Sequence, residues 1–155
     1  MFVSVHVLIS LLIGLTLYPF FGVYAIIFFL AGFLIDIDHN IEYAISHKDL
    51  RPFGAYRYFM KKFQINIKRL KEGKKMKQDK MRLHVFHTFE LLFLLLVIGF
   101  FNRIILFIFW GFFSHVLTDI AGSFYLRYKF KGKIEGNGRY HLITSFFLNE
   151  YLHKK

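Results

Sequence analysis

Four apolar runs mark the chain, at residues 2–17, 20–35, 85–101 and 104–118. Each is apolar around the whole helical circumference, the pattern of a helix surrounded by lipid or buried on every side. The runs come in two pairs. Tyr18-Pro19-Phe20-Phe21-Gly22 joins the first pair and Gly99-Phe100-Phe101-Asn102-Arg103 the second, and each joint has turn chemistry without a long polar loop. Two helical hairpins are expected. Every run falls somewhat short of the roughly 20 apolar residues that cross a bilayer, so spanning implies local thinning or extension into the interface.

Between the hairpins the pattern changes. Tyr56, Phe59, Met60, Phe63, Ile67 and Leu70 recur at helical spacing, while Arg57, Lys61, Lys62, Lys68 and Arg69 fall largely opposite. This predicts a basic amphipathic helix lying in the headgroup layer of an anionic leaflet, placed to act as a lid. Residues 71–77 read as a solvated linker. Residues 142–148 are too short to span, and a further interfacial piece is expected there.

Composition sharpens this picture. Hydrophobic residues make up 55% of the 155, and 22 residues are Phe, more apolar surface than a soluble domain of this size can hide. Lys and Arg total 21 against 10 acids. Residues 40–83 hold 13 Lys/Arg and residues 120–155 hold seven, whereas the two tight joints hold only Arg103. The positive-inside rule then places both termini and the middle segment in the cytoplasm of a multi-pass cell-membrane protein. No cleavable signal is evident, because no basic stretch precedes the first apolar run. The expected fold is all-α: an integral-membrane four-helix bundle of two hairpins over residues 1–120, with a basic cytoplasmic insertion at 44–82. A basic interfacial segment is expected at 121–155.

That topology brings polar groups to one level. His6 opens the first run; Asp36, Asp38 and His39 close the second; His84, His87 and Glu90 open the third; His115 and Asp119 close the fourth. All fall at the cytoplasmic end. Ionisable groups at a membrane edge are rare and are functional candidates, and two carboxylates closing a helix oppose its dipole, so a compensating cation is expected. His115 and Asp119 are four apart and share a face. Gly111 lies one turn earlier on that stripe, where a missing side chain lets another helix approach. Asp36 and Asp38, two apart, would splay by about 200° on a regular helix, so a helix-to-loop transition is expected there. His47, His141 and His153 lie in polar stretches and read as solvated.

With no cysteine, any metal must be held by His and carboxylate, which suits Zn²⁺, with Mn²⁺ and Fe²⁺ as alternatives. The candidate ligands are His6, Asp36, Asp38, His39, His84, His87, His115 and Asp119, enough for two or three ions. Such a set would clamp a phosphoryl group and activate water. Glu90 and Asp38 are the candidate catalytic groups, Glu90 as a base or as an orienter of His87. Arg51, Arg82 and Arg139 are the candidate binders of an anionic headgroup.

The set His6, Asp36-Ile37-Asp38-His39, His87-Thr88 and His115-Val116-Leu117-Thr118-Asp119 resembles the membrane-bound metal-dependent hydrolases, a family distantly similar to zinc-dependent phospholipase C and single-strand nucleases. Val85, Ile35 and Phe89 depart from residues frequent in that family. The resemblance implies a metal-dependent hydrolase. Together with the topology, it gives the expectation of a phosphoesterase working at the cytoplasmic face on a phospholipid or lipid-linked phosphate. Membrane lipids with anionic headgroups are the expected partners; nucleic acid ranks behind lipid, and no obligate protein partner is evident. The alternative is a non-hydrolytic metal protein, either a di-iron lipid oxidase or desaturase, or a metal transporter or sensor. The lack of His-His pairs counts against the former, and the one-sided ligand placement against a transporter.

Overall fold

The computed structural model describes residues 3–74, 86 and 88–130. Those residues are all-helical, in the order α1 (Val3–Phe21), α2 (Val23–Leu34), α3 (Ile37–His47), α4 (Pro52–Lys71), α5 (Phe89–Gly99) and α6 (Arg103–Lys129). Among them there is no strand. His84, His87, Arg82, Arg139 and the segment beyond residue 130 lie outside the described residues.

Both tight joints are turns between packed antiparallel neighbours, α1 with α2 and α5 with α6. Gly22 makes the first joint with φ 53°, a conformation costly for any residue bearing a Cβ. Pro19, expected in the joint, lies inside the last turn of α1. At the second joint, Asn102 caps α6, its Oδ1 accepting from the amides of Ile104 at 2.9 Å and Ile105 at 3.4 Å. Phe100 and Phe101 project from this tip almost fully exposed.

α2 and α6 form the central contact of the fold, with α1 against both and α5 against α6. Glycines allow it. A Cβ built on Gly111 would stand 2.5 Å from the Phe28 carbonyl oxygen and 2.8 Å from the Ala31 Cβ, and one on Gly32 would stand 2.6 Å from Ser10 Oγ. The backbones of α2 and α6 therefore approach as closely as backbones can. Around this joint sits a small core of Ile35, Leu92, Phe109 and Val116. Most other large apolar side chains are outside it: Leu8, Leu12 and Leu15 on α1, Phe93 and Leu94 on α5, and Trp110 and Leu117 on α6 are all exposed.

Two helical stretches are long and apolar enough to cross a membrane, Val23–His47 of 25 residues and Arg103–Leu126 of 24. The first runs through α2 and α3 together. Here the structure corrects an expectation: Asp36-Ile37-Asp38-His39 is not a helix-to-loop transition. Ile35 and Asp36 keep right-handed helical angles, and α3 starts at once at Ile37. The helix only loosens, with the His39 amide reaching the Asp36 carbonyl oxygen at 3.1 Å in a tighter i→i−3 bond. The fourth apolar run continues as helix well past residue 118, to Lys129. Within the third run the described α-helix is Phe89–Gly99, 11 residues, or about 16 Å of helix.

α4 forms where the amphipathic pattern predicts a helix. Arg51 is extended, Pro52 sits in the first turn, and Gly73 closes the far end with φ 79°. In the predicted apolar stripe Leu70 is buried, Phe59, Met60, Phe63 and Ile67 are half-buried and Tyr56 is exposed, while Ala55 and Asn66 are buried beside it. Small residues set this register: a Cβ on Gly54 would meet the Tyr43 hydroxyl at 2.8 Å, so α4 leans on α3 through Gly54 and Ala55.

Candidate metal centre

His6 enters from the first turns of α1, Asp36 and His39 from the α2–α3 junction, and His115 and Asp119 from α6. His115 Nδ1 lies 2.8 Å from the Gly32 carbonyl oxygen. A carbonyl can only accept, so Nδ1 carries the proton. In the neutral ring that leaves the Nε2 lone pair facing outward, towards Asp36 Oδ1 at 3.4 Å and Asp119 Oδ2 at 3.8 Å. This tautomer presents Nε2 as a ligand, with the second ring nitrogen anchored to the backbone. The ring is 1% exposed as a residue.

Asp119 reaches both ways. Its Oδ1 lies 3.1 Å from His6 Nε2 while its Oδ2 faces His115. Asp36 Oδ1 likewise lies 3.8 Å from His39 Nε2 as well as facing His115. The result is an alternating row of imidazole and carboxylate: His6, Asp119, His115, Asp36, His39. The His6 and His115 rings are stacked, 3.9 Å apart and 13° from parallel. Two imidazolium ions at that separation would repel by about 4 kcal/mol even at an effective dielectric of 20, so protonating both rings is a poor way to neutralise the carboxylates.

A divalent cation could do so, and three of the donors stand near enough to share one. Ligands about 2.0–2.1 Å from a tetrahedral zinc lie about 3.3 Å from one another, against 3.1 Å for His6 to Asp119 and 3.4 Å for His115 to Asp36. One donor atom from each of His6, His115 and Asp119 lies within 4.8 Å of the others. His6 Nδ1, across the ring from the Nε2 that faces Asp119, is buried without a hydrogen-bond partner among the described residues. With no thiolate, the set suits Zn²⁺, Mn²⁺ or Fe²⁺.

The remaining candidates are placed differently. Asp38 is buried, and its Oδ2 accepts from the Phe86 amide at 2.7 Å, tying the start of α3 to the segment preceding α5. Thr88, also buried, caps α5 by accepting from the Leu91 amide at 3.4 Å, and Glu90 occupies the first turn of that helix, half-buried. Arg51 is turned to Asp49, its Nε donating to Oδ1 at 2.9 Å and a terminal nitrogen to Oδ2 at 3.0 Å. Tyr43 also donates to Asp49, at 2.9 Å. These bonds hold the Asp49 carboxyl well below the usual carboxylate range, the Arg51 guanidinium contributing most.

Two contributors escaped the sequence reading, the Gly32 carbonyl and buried Ser10 packed on it. Both had a visible signal: Gly32 stands one turn before Asp36, and Ser10 one turn after His6. Comparison with protein-family models, with curated proteins and with solved structures finds no match.

Proposed function

We propose that the chain is an integral-membrane metal-dependent hydrolase that cleaves phosphoester bonds of a phospholipid or lipid-linked phosphate. One observation carries the reading: His6, His115 and Asp119, from distant parts of the chain, bring donor atoms within 4.8 Å of one another, with Asp36 3.4 Å from His115. The membrane assignment rests on the two long apolar stretches and on the apolar side chains exposed on α1, α5 and α6. The positive-inside charge bias then puts the centre at the cytoplasmic face of a four-helix bundle.

His6, His115, Asp119 and Asp36 would hold the cation, with His39 beside Asp36. A divalent ion so held supplies Lewis acidity towards a phosphoryl oxygen and acidifies water at neutral pH. The Gly32 carbonyl fixes the His115 tautomer. Asp38 holds the Phe86 amide and so anchors the entry to α5. Glu90, in the first turn of that helix, is the candidate proton acceptor. His84 and His87 join the ligand set on sequence grounds alone.

The test is elemental analysis of purified protein beside His115→Ala and Asp119→Ala, paired with a phosphodiester assay on phospholipid in mixed micelles. Near-stoichiometric zinc, manganese or iron in the wild type, absent from both variants, with hydrolysis lost in parallel, supports the reading. Bound metal without hydrolysis of any phosphoester favours the transporter or sensor alternative. Iron with an oxygen requirement favours the oxidase.

A further inference from the structure

α4 carries no acidic residue, yet it holds Arg57, Lys61, Lys62, Lys68, Arg69 and Lys71. Its outward side also exposes apolar surface, Phe53 at 75% and Ile65 at 50%. Towards its C-terminal end a shallow groove of about 360 Å³ is lined by Phe63, Gln64, Ile67, Lys68 and Lys71. An apolar floor rimmed by ammonium groups matches one chemistry closely: an anionic lipid, acyl chain on the floor and phosphate at the rim. Nucleic acid would be served by the charges but not by the floor.

The floor is not isolated from the metal centre. Phe63 and Ile67 continue a stripe whose preceding member, Phe59, stands against His39 with ring centroids 5.3 Å apart. His39 is the more open member of the imidazole–carboxylate row, at 34% side-chain exposure against 14% for Asp36 and 18% for Asp119. A shift of the α4 stripe would therefore change how far Phe59 covers His39.

We propose that α4 is a docking helix for anionic lipid, and that seating its Phe63–Ile67 groove in an anionic membrane surface draws Phe59 off His39 and opens the candidate centre. The coupling to the centre rests on the hydrolase reading above; the docking itself does not. A membrane of neutral lipid offers the ammonium rim no added anions and leaves the stripe on His39. An anionic one supplies counter-charges to the basic residues at its surface.

The chain has no cysteine, so a single Gln64→Cys gives a clean spin-label site at the groove. The full chain is reconstituted in nanodiscs of phosphatidylcholine alone or of phosphatidylcholine with phosphatidylglycerol. Expected is a several-fold rise in oxygen accessibility of the label in the anionic discs, abolished by Lys68→Glu with Lys71→Glu and by about 1 M salt, where screening acts over about 3 Å. In parallel, diethylpyrocarbonate should modify His39 several-fold faster in the anionic discs, identified by mass spectrometry against His39→Asn. Equal label accessibility in the two lipids overturns the docking, as does a response indifferent to the lysine substitutions. A response of the label to short RNA but not to phosphatidylglycerol overturns it in favour of nucleic acid. A lipid response in the label with His39 reactivity unchanged overturns the gating. Metal content measured on the same discs separates the two readings, because metal-free protein that still answers to lipid sinks the hydrolase and leaves the docking helix standing.

Discussion

His115 Nδ1 lies 2.8 Å from the Gly32 carbonyl oxygen, and this bond crosses the tightest joint of the fold. The helix approach that permits the contact also selects which nitrogen of His115 faces the carboxylates. Packing and candidate chemistry are therefore one feature here, and substitutions at the joint should report on both.

Gly111→Ala places a methyl 2.5 Å from the Phe28 carbonyl oxygen and 3.0 Å from the Gly32 amide nitrogen. Backbone must move to admit it, at a cost of about 1–3 kcal/mol, and the His115–Gly32 bond should lengthen. A lower thermal midpoint together with weakened metal retention is expected. Gly14→Ala is the milder comparison: its new Cβ would stand 3.3 Å from the Phe29 Cβ, so that neighbour must give by a few tenths of an ångström, and no backbone atom comes closer than 3.4 Å. A smaller loss than at Gly111, with metal retention unchanged, is expected.

Asp38→Ala and Asp38→Asn should differ. Alanine strands the Phe86 amide, leaving a part-buried donor unsatisfied, at a cost of about 1–3 kcal/mol. Asparagine keeps an acceptor oxygen and should retain most of the stability. Denaturation monitored in detergent separates the two, and equal losses would show that the bond to Phe86 contributes little.

Thr88→Ala removes the side-chain cap of α5, which accepts from the Leu91 amide. The expected loss is about 1 kcal/mol. Thr88→Ser, which keeps the oxygen, should restore most of it. Hydrogen exchange at the Leu91 amide is the direct readout.

The α3–α4 connection should loosen in acid. Asp49 is held below its ordinary range by Arg51 and Tyr43. A depressed carboxylate stabilises the folded arrangement fully above its unfolded value of about 3.9, and that contribution is lost as pH falls below it towards the folded value. The Arg51 amide, which donates to Asp49 Oδ1 at 3.0 Å, should lose exchange protection relative to its intrinsic rate below about pH 4. Asp49→Asn should remove that pH dependence and lower protection at neutral pH.

The sequence made the helices and the meeting of His6, Asp36, His39, His115 and Asp119 legible for simple reasons. Runs apolar on every side leave few options, tight joints force neighbours to be antiparallel, and the i, i+4 spacing of Gly111, His115 and Asp119 marks one stripe. What was hidden depends on backbone. The loosening at Ile35–Asp36 is a change in hydrogen-bond step, which no side-chain pattern encodes. The close approach of α3 to α4 was hidden too, because it depends on Gly54 and Ala55, small residues outside the apolar pattern. The partner of Asp38 is the Phe86 main-chain amide, and every residue but proline has one to offer.

The row from His6 to His39 links α1, the first of the described helices, to α6, the last. A ribosome makes His6 well before Asp119, which follows α1 to α5 and most of α6. Until then α1 has no carboxylate from α6 to meet. On the proposed reading the cation site is therefore completed late in synthesis, and a nascent chain halted before α6 would carry His6 without Asp119.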